Sequence, residues 1–361
     1  MNKQFLLLVL GLFLIGCGPT GTTTNSSNTK KSYQVNTIAF YNLENLFDAE
    51  DDPSKNDEYS PIMEMDEGLR QSVYEKKLKN MASVIKQIGS DVAQNAPAVV
   101  GVCEIENKKV LIDLLNEPDL LPYNYQIVHY ESPDRRGIDV GLIYQKDLFQ
   151  VSNSVSHELK IFRSDNPDKK VYTRDQLVVS GFLNGDKMHF IVNHWPSRSG
   201  GEARSSYLRE AAADLNRKIA DSLLAIDPYA KIITMGDFND GPYNKSIKEN
   251  FGAKAEKETT KLKEFYNPFE SMQKSGIGTI AYRDSWDLFD QMLLSHGFLD
   301  KDYSTYKYYK AGVFNPPFLA TPRGKYKGYP FRSFSNGGFS GGYSDHFPVF
   351  VYLIKEIDTS L

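Results

Sequence analysis

Six short acidic and histidine-bearing strings are scattered along the 361 residues: Tyr41-Asn42-Leu43-Glu44, Cys103-Glu104-Ile105-Glu106-Asn107, Asn193-His194-Trp195, Gly236-Asp237-Phe238-Asn239, Phe289-Asp290-Gln291 and Ser344-Asp345-His346. Most of them close an apolar run rich in β-branched and aromatic residues. Carboxylate oxygens suit a hard divalent cation, an amide orients water, and imidazoles move protons or stabilise developing charge. Together they are the equipment for a magnesium-assisted attack of water on a phosphate ester.

Each string also has a plainer reading. Asp237 and Asn239 follow the buried run 231–235 and lie two residues apart on one face, where they could hold a water; alone, the string also reads as an acidic turn before Gly241-Pro242. Asn193-His194 ends the run 189–192 and enters the bent loop Trp195-Pro196-Ser197-Arg198-Ser199-Gly200-Gly201, where Arg198 could clamp a phosphate and His194 could donate to its oxygen. A lone histidine at a strand end can equally be structural. Asn42 and Glu44, then Glu104 and Glu106, end two further strands, and one or two such carboxylates suffice for magnesium, which keeps several waters. A carboxylate bonded to His346 would fix its tautomer and raise its pKa.

Strands must present these strings. Periodicity predicts them over 35–41, 98–103, 125–130, 139–144, 171–182, 189–194, 232–235 and 347–354. Helical stripes separate several: residues 73–88 keep Leu78, Met81, Val84, Ile85 and Ile88 on one side with Lys76, Lys77, Lys79 and Lys86 opposite, and 202–226 has an alanine-rich middle suited to packing on a sheet. Short turns such as Asn184-Gly185-Asp186 argue against an all-parallel sheet, so the expectation is an α/β chain with two mixed sheets face to face and helices outside. No internal repeat is visible. Residues 298–343, rich in Tyr, Phe, Gly, Pro and Lys, read as one long functional loop feeding the last string.

The N-terminus bears on location. Lys3 precedes the apolar run 5–15, too short to span a bilayer, followed by Leu14-Ile15-Gly16-Cys17. This reads as a signal peptide over 1–17 with a lipobox-like end, making Cys17 the expected lipidation site. Residues 18–32 hold nothing apolar to bury and read as a tether, leaving 33–361 as one large domain. The expected location is therefore the cell envelope: lipid-anchored and extracytoplasmic, either periplasmic or surface-exposed. Cys17 and Cys103 are the two cysteines, so a lipidated Cys17 leaves no intramolecular disulfide, and Cys103 reads as a small buried apolar residue. The net charge of -4 argues against holding nucleic acid by global electrostatics, although Arg323-Gly324-Lys325-Tyr326-Lys327-Gly328-Tyr329, with Arg332 nearby, alternates cations and rings as a stacking surface would.

Taken in order, these strings resemble the endonuclease/exonuclease/phosphatase superfamily, which includes pancreatic-type deoxyribonucleases, apurinic-site endonucleases, sphingomyelinases and inositol polyphosphate 5-phosphatases. The resemblance runs over nearly all of residues 34–353. It implies a four-layer αββα sandwich and in-line attack of water on phosphorus without a covalent enzyme intermediate. It further implies Glu104 as the principal Mg2+ ligand, with Mn2+ or Ca2+ as alternatives, supported by Asn42, with Glu44 assisting and Asp345 near a second metal. Asp237 would orient or deprotonate water beside Asn239, His346 with its partner Asp290 would serve the transition state, and His194 would engage the scissile phosphate. Arg174 would contact substrate phosphate, and Asp139 is a weaker match.

The bent loop after His194 is similar to the segment in secreted bacterial nucleases of this superfamily. The expected function is thus a metal-dependent phosphodiesterase acting on DNA or RNA, with the membrane reached through a lipid and no protein partner. The alternative is a phosphomonoesterase or phospholipid diesterase of the inositol polyphosphate phosphatase or sphingomyelinase type.

Overall fold

In a computed structural model that describes residues 31–357, the first apolar run forms a long strand, β1 (Ser32–Leu46). Its side chains alternate, Ile38 and Phe40 entering one apolar cluster and Ala39, Tyr41 and Leu43 another. That is the period of a strand buried on both faces. The other strands of the two main sheets are β2 (Val99–Ile105), β3 (Tyr125–His129), β4 (Asp139–Gln145), β5 (Phe149–His157), β6 (Gln176–Leu183), β7 (Asp186–His194), β8 (Ile232–Asp237), β9 (Phe265–Tyr266), β10 (Asp290–Ser295), β11 (Lys307–Val313) and β12 (Val349–Ile357).

They form two six-stranded sheets, ordered β11-β12-β1-β2-β4-β3 and β9-β10-β8-β7-β6-β5. Each sheet holds one parallel pair, β1 with β2 and β7 with β8, among antiparallel neighbours. Parallel neighbours need a crossover. Helix α1 (Glu67–Ile85) lies within the first and α3 (Glu202–Ile226) forms the second, while α2 (Lys108–Leu115) follows β2. Leu78, Met81 and Ile85 of α1 bury against the outer face of the first sheet, and Ala212, Ala213 and Ala220 let α3 lie close on the second. Between the sheets, Phe40, Cys103, Leu142, Phe190, Met235 and Met292 form a shared core, each large side chain contributing roughly 2 kcal/mol by leaving water. The layers are helix, sheet, sheet, helix, the expected architecture.

Three expectations about elements need correction. The run at 171–182 does not form one strand: Asn166–Val171 pairs in a hairpin with Ile161–Arg163, the chain turns at Tyr172 to Asp175, and β6 begins at Gln176. There Arg174 and Asp175 bend inward to polar partners, and local β propensity yields to tertiary contacts. Residues 298–343 are not one loop, because β11 pairs with β12 at the sheet edge and a small hairpin joins Phe334–Ser335 to Gly338–Phe339. The described part of the expected tether, Lys31 and Ser32, sits against the last strand: Ser32 pairs with Ile357 and Lys31 with Glu356. The signal-peptide, lipobox and remaining tether expectations, including Cys17, lie outside the described residues. Among those described, no helix is long and apolar enough to cross a membrane.

Candidate active site

The parallel and antiparallel pairings around β8 set half of the site. His194 and Asp290 both lie opposite Asp237, one on each neighbouring strand. Gly236 makes this approach possible, since a Cβ there would sit 2.4 Å from the Asn193 carbonyl oxygen. Asn193 is itself buried in a lattice of bonds to Thr234 Oγ1 (2.9 Å) and from Asn216 of α3 (2.8 Å), which fixes the strand end carrying His194.

The first sheet supplies the other half through strained backbone. The ladder between β1 and β2 slips after Asn42, and Glu44, Asn45 and Glu104 take φ values of 46°, 51° and 57°. Such left-handed conformations cost a non-glycine residue about 1–3 kcal/mol. The bend lets Glu104 Oε2 accept the Asn45 N–H at 3.0 Å while Oε1 accepts the Asn42 amide at 3.1 Å. The same amide nitrogen donates to Asp237 Oδ2 at 3.2 Å, and Asn42 Oδ1 accepts the Glu44 N–H at 2.9 Å. Asn42 thus holds Glu104 and Asp237 side by side, its amide nitrogen facing the two carboxylates.

His346 closes the site. Its Nδ1 lies 2.6 Å from Asp290 Oδ2, and its Nε2 is 3.9 Å from Asp237 Oδ2 and 4.0 Å from Asp345 Oδ1. Burial alone would lower its pKa, yet the Asp290 and Asp237 carboxylates outweigh it and hold the imidazole well above its ordinary value. Burial pushes Asp237 up to about 7, with His346 pulling the other way. His194 goes down, through burial first and then the nearby Arg174 charge, so it stays neutral. Its Nε2 stands 3.9 Å from Glu104 Oε1 and 3.8 Å from Asp237 Oδ2, and its buried Nδ1 has no partner.

Two groups, Glu104/His194/Asp237 and Asp237/Asp290/His346, each place ligand atoms within 4.8 Å of one another. Carboxylate oxygens crowded together with one protonated imidazole between them leave negative charge unbalanced, the donor chemistry a hard divalent cation fits. The structure therefore brings Asn42, Glu104, His194, Asp237, Asp290 and His346 into one pocket, with Asp345 at its edge.

Other expected residues do different work. Glu44 turns away from the carboxylates: its oxygens accept the Ser333 N–H at 2.5 Å and Arg332 Nε at 3.3 Å, anchoring the 332–344 segment. Burial pushes Glu44 up to about 7, with Asp345 adding to the rise. Asp345 Oδ2 accepts Arg332 Nη2 at 2.9 Å. Arg198 is no free phosphate clamp, because it donates to the Asn239 carbonyl, Glu202, Asp240 and Asn244, with its guanidinium 4.5 Å from the Phe289 ring centre. The Asn239 amide donates to the Trp195 carbonyl at 3.0 Å and its N–H to Asp237 Oδ1 at 2.9 Å, so it orients the Asp237 carboxylate and its own amide nitrogen is engaged. Arg174 is buried, with Nη1 to Asp134 and Nη2 to the Trp195 carbonyl. Asp139 is neither solvated nor in the site: it is buried against His129 and the Ser132 N–H.

Ser344, part of the last string but given no role there, donates its hydroxyl to the Asn42 carbonyl at 2.7 Å and accepts the His346 N–H at 3.1 Å. Lys77, expected on the side opposite the apolar stripe of 73–88, is instead fully buried, and its ammonium donates to Ser333 Oγ at 2.6 Å. Its helical spacing from Val73, Met81 and Val84 was the available signal.

The Endonuclease/Exonuclease/phosphatase family matches residues 37–355. The chain belongs to this family. Its members are phosphoesterases and nucleases that depend on a divalent metal, in keeping with the acidic and histidine groups gathered here. No curated protein matches the sequence. Solved structures share the fold: D. rerio TDP2 humanised by 14 mutations, at TM-score 0.53 and 12% identity, covering 89% of this chain and 99% of that one. An endonuclease/exonuclease/phosphatase family protein from Bacteroides thetaiotaomicron also gives TM-score 0.53, at 16% identity, covering 92% of this chain and 98% of that one. A mannosyl-6-phosphatase from the same organism gives TM-score 0.51 at 16% identity, covering 88% of this chain and 99% of that one.

Proposed function

We propose that this family member is an extracytoplasmic, Mg2+-dependent phosphodiesterase that cleaves DNA or RNA. The observation that carries the substrate choice is an aromatic and basic wall joined to the catalytic histidine. Phe347, next to His346, stacks with Trp286 (centroids 6.1 Å apart), and Trp286 meets Tyr329, which meets Tyr326. Arg283 and Lys325 lie over the Tyr282 and Tyr326 rings at its outer edge. Rings interleaved with cations suit unstacked bases and their phosphates better than an isolated phosphomonoester.

In this reading Glu104 would hold the cation, which when bound supplies positive charge to the phosphoryl oxygens and lowers the pKa of water. Asp237, oriented by the Asn239 N–H and the Asn42 amide, takes the proton of the attacking water. His346, kept protonated by Asp290, faces the phosphorus and gives a proton toward the leaving oxygen, while neutral His194 offers a ring N–H to a non-bridging oxygen. Lipid attachment at Cys17 would hold the domain on the outer side of a membrane.

Purified protein is to be incubated with single- and double-stranded DNA, RNA, bis(p-nitrophenyl) phosphate, p-nitrophenyl phosphate, sphingomyelin and inositol polyphosphates, with Mg2+, Mn2+, Ca2+ or EDTA. Polynucleotide cleavage that stops with EDTA is expected; release from monoesters or sphingomyelin alone would move the protein to the phosphatase or lipase reading. Cys17→Ser should shift the expressed protein from the membrane to the soluble envelope fraction.

A further inference from the structure

Beside the catalytic pocket opens a cleft of ≈ 260 Å³ whose walls include Asp134, Arg135, Arg136, Thr173, Arg174 and Ser197. The two sites share a partition. Arg174 Nη2 and the Asn239 amide both donate to the carbonyl of Trp195, the residue after His194. Three arginines and one aspartate line the cleft, with Asp134 bonded to Arg174 Nη1 at 3.3 Å and 4.0 Å from Arg136 Nε. Arg135 and Arg136 stand exposed at the mouth. Deeper in, Thr173 is 3% and Arg174 6% exposed, and Thr173 Oγ1 and Arg174 Nε have no hydrogen-bond partner.

Buried donors without acceptors are costly and native proteins rarely keep them. A guanidinium N–H and a hydroxyl at the back, with the exposed guanidinium groups of Arg135, over the Tyr172 ring, and Arg136 in front, match a tetrahedral oxyanion whose several oxygens each need a donor. Arg198, the arginine nearest in sequence to His194, is fully engaged elsewhere and leaves this cleft as the cationic surface on that flank.

We propose that the cleft is a second phosphate subsite, holding the phosphate that neighbours the scissile one along the chain, so that the enzyme selects substrates with two phosphates across one sugar. The inference rests on the nucleic-acid reading of the site. It makes Arg135, Arg136 and Thr173 specificity residues outside the catalytic group.

The test is titration calorimetry of the intact protein, with Mg2+ present, against thymidine 3′,5′-bisphosphate and the 3′- and 5′-monophosphates. The bisphosphate should bind at least about tenfold more tightly than the better monophosphate. An Arg135→Ala/Arg136→Ala double variant should keep monophosphate affinity and lose that excess. Thr173→Val should lose part of it without a fall in Tm, since it removes a hydroxyl that bonds nothing in the free protein. A bisphosphate no tighter than the better monophosphate, or an excess that survives in the double variant, overturns the subsite. Cleavage of DNA and RNA is read separately: cleavage without the bisphosphate excess sinks the subsite alone, and the excess without cleavage sinks the nuclease reading alone.

Discussion

The two sheets are built to the same plan and contribute to the site in opposite ways. Each has one parallel pair whose C-terminal ends reach the pocket, β1 and β2 in one, β7 and β8 in the other. In the second sheet the ladder is regular to its end, and His194, Asp237 and Asp290 sit in register across three strands. In the first, the ladder breaks and Glu104 is presented from a left-handed backbone. Regular strands preorganise the groups proposed to handle protons, which must be fixed before substrate arrives. The strained bend aims the carboxylate expected to meet a cation, and ligation would help to offset that strain.

The sharpest way to break this picture is at a short bond that bridges the two halves of the site, His346 Nδ1 to Asp290 Oδ2. His346→Ala should lower kcat roughly 10²–10⁴-fold, the usual share of a positioned acid or base. Asp290→Asn keeps the shape but removes the largest influence raising the His346 pKa. Its kcat should fall less, roughly 10–100-fold, as for other orienting partners, and the alkaline limb of the pH–rate profile should move to lower pH. An Asp290→Asn variant with unchanged kcat and unchanged pH limbs would mean that Asp290 only fills space.

The far end of the same strands offers a smaller effect of opposite sign. His189, at the start of the apolar run of β7, is buried with its Nδ1 2.7 Å from Ser180 Oγ, and the pull of the Asp227 carboxylate is too weak to offset that burial. Burial, with Lys187 adding to it, lowers its pKa from 6.5 to about 4. A depressed histidine contributes stability that is present above pH 6.5 and lost as pH falls toward 4, up to roughly 3 kcal/mol at about 1.36 kcal/mol per unit. Denaturant unfolding between pH 7 and 4 should show that slope in the native chain and a shallower one in His189→Gln. Identical slopes would show that the two ends of β7 do not differ as their partners imply.

How much of this was legible in the sequence follows the same division. Regular elements announce themselves locally: the runs before His194 and Asp237 alternate or stay apolar, and each string sits where its strand stops. Partners that arrive from far along the chain leave no local mark. Glu44 looks like a ligand beside Asn42, yet its oxygens are taken by Ser333, 289 residues away. Arg198 looks like a phosphate clamp until Asp240 and Asn244 appear beside it. Strand β11 was hidden because an edge strand needs little apolar content: Tyr309 and Lys310 face outward, and Lys307, although buried, reads as a surface residue. The matching plan of the sheets was invisible too, since packing constrains the periodicity of residues and not their identity.

The finest test of the contrast compares one pair of substitutions in both sheets. At Glu104, alanine and glycine remove the same carboxylate and the same two hydrogen bonds, so their difference isolates the backbone. With φ at 57°, alanine keeps the strain and glycine does not, so Glu104→Gly should be about 1 kcal/mol more stable than Glu104→Ala. At Asp237, inside a regular ladder, glycine brings only its extra unfolded-state entropy, and Asp237→Ala should exceed Asp237→Gly by roughly 0.5–1 kcal/mol. Urea titrations in EDTA measure all four variants without any contribution from bound metal. The prediction is a reversal of sign between the sheets; the same sign at both positions would mean that the bend at Glu104 stores no strain, and that its aim comes from the Asn42 and Asn45 hydrogen bonds alone.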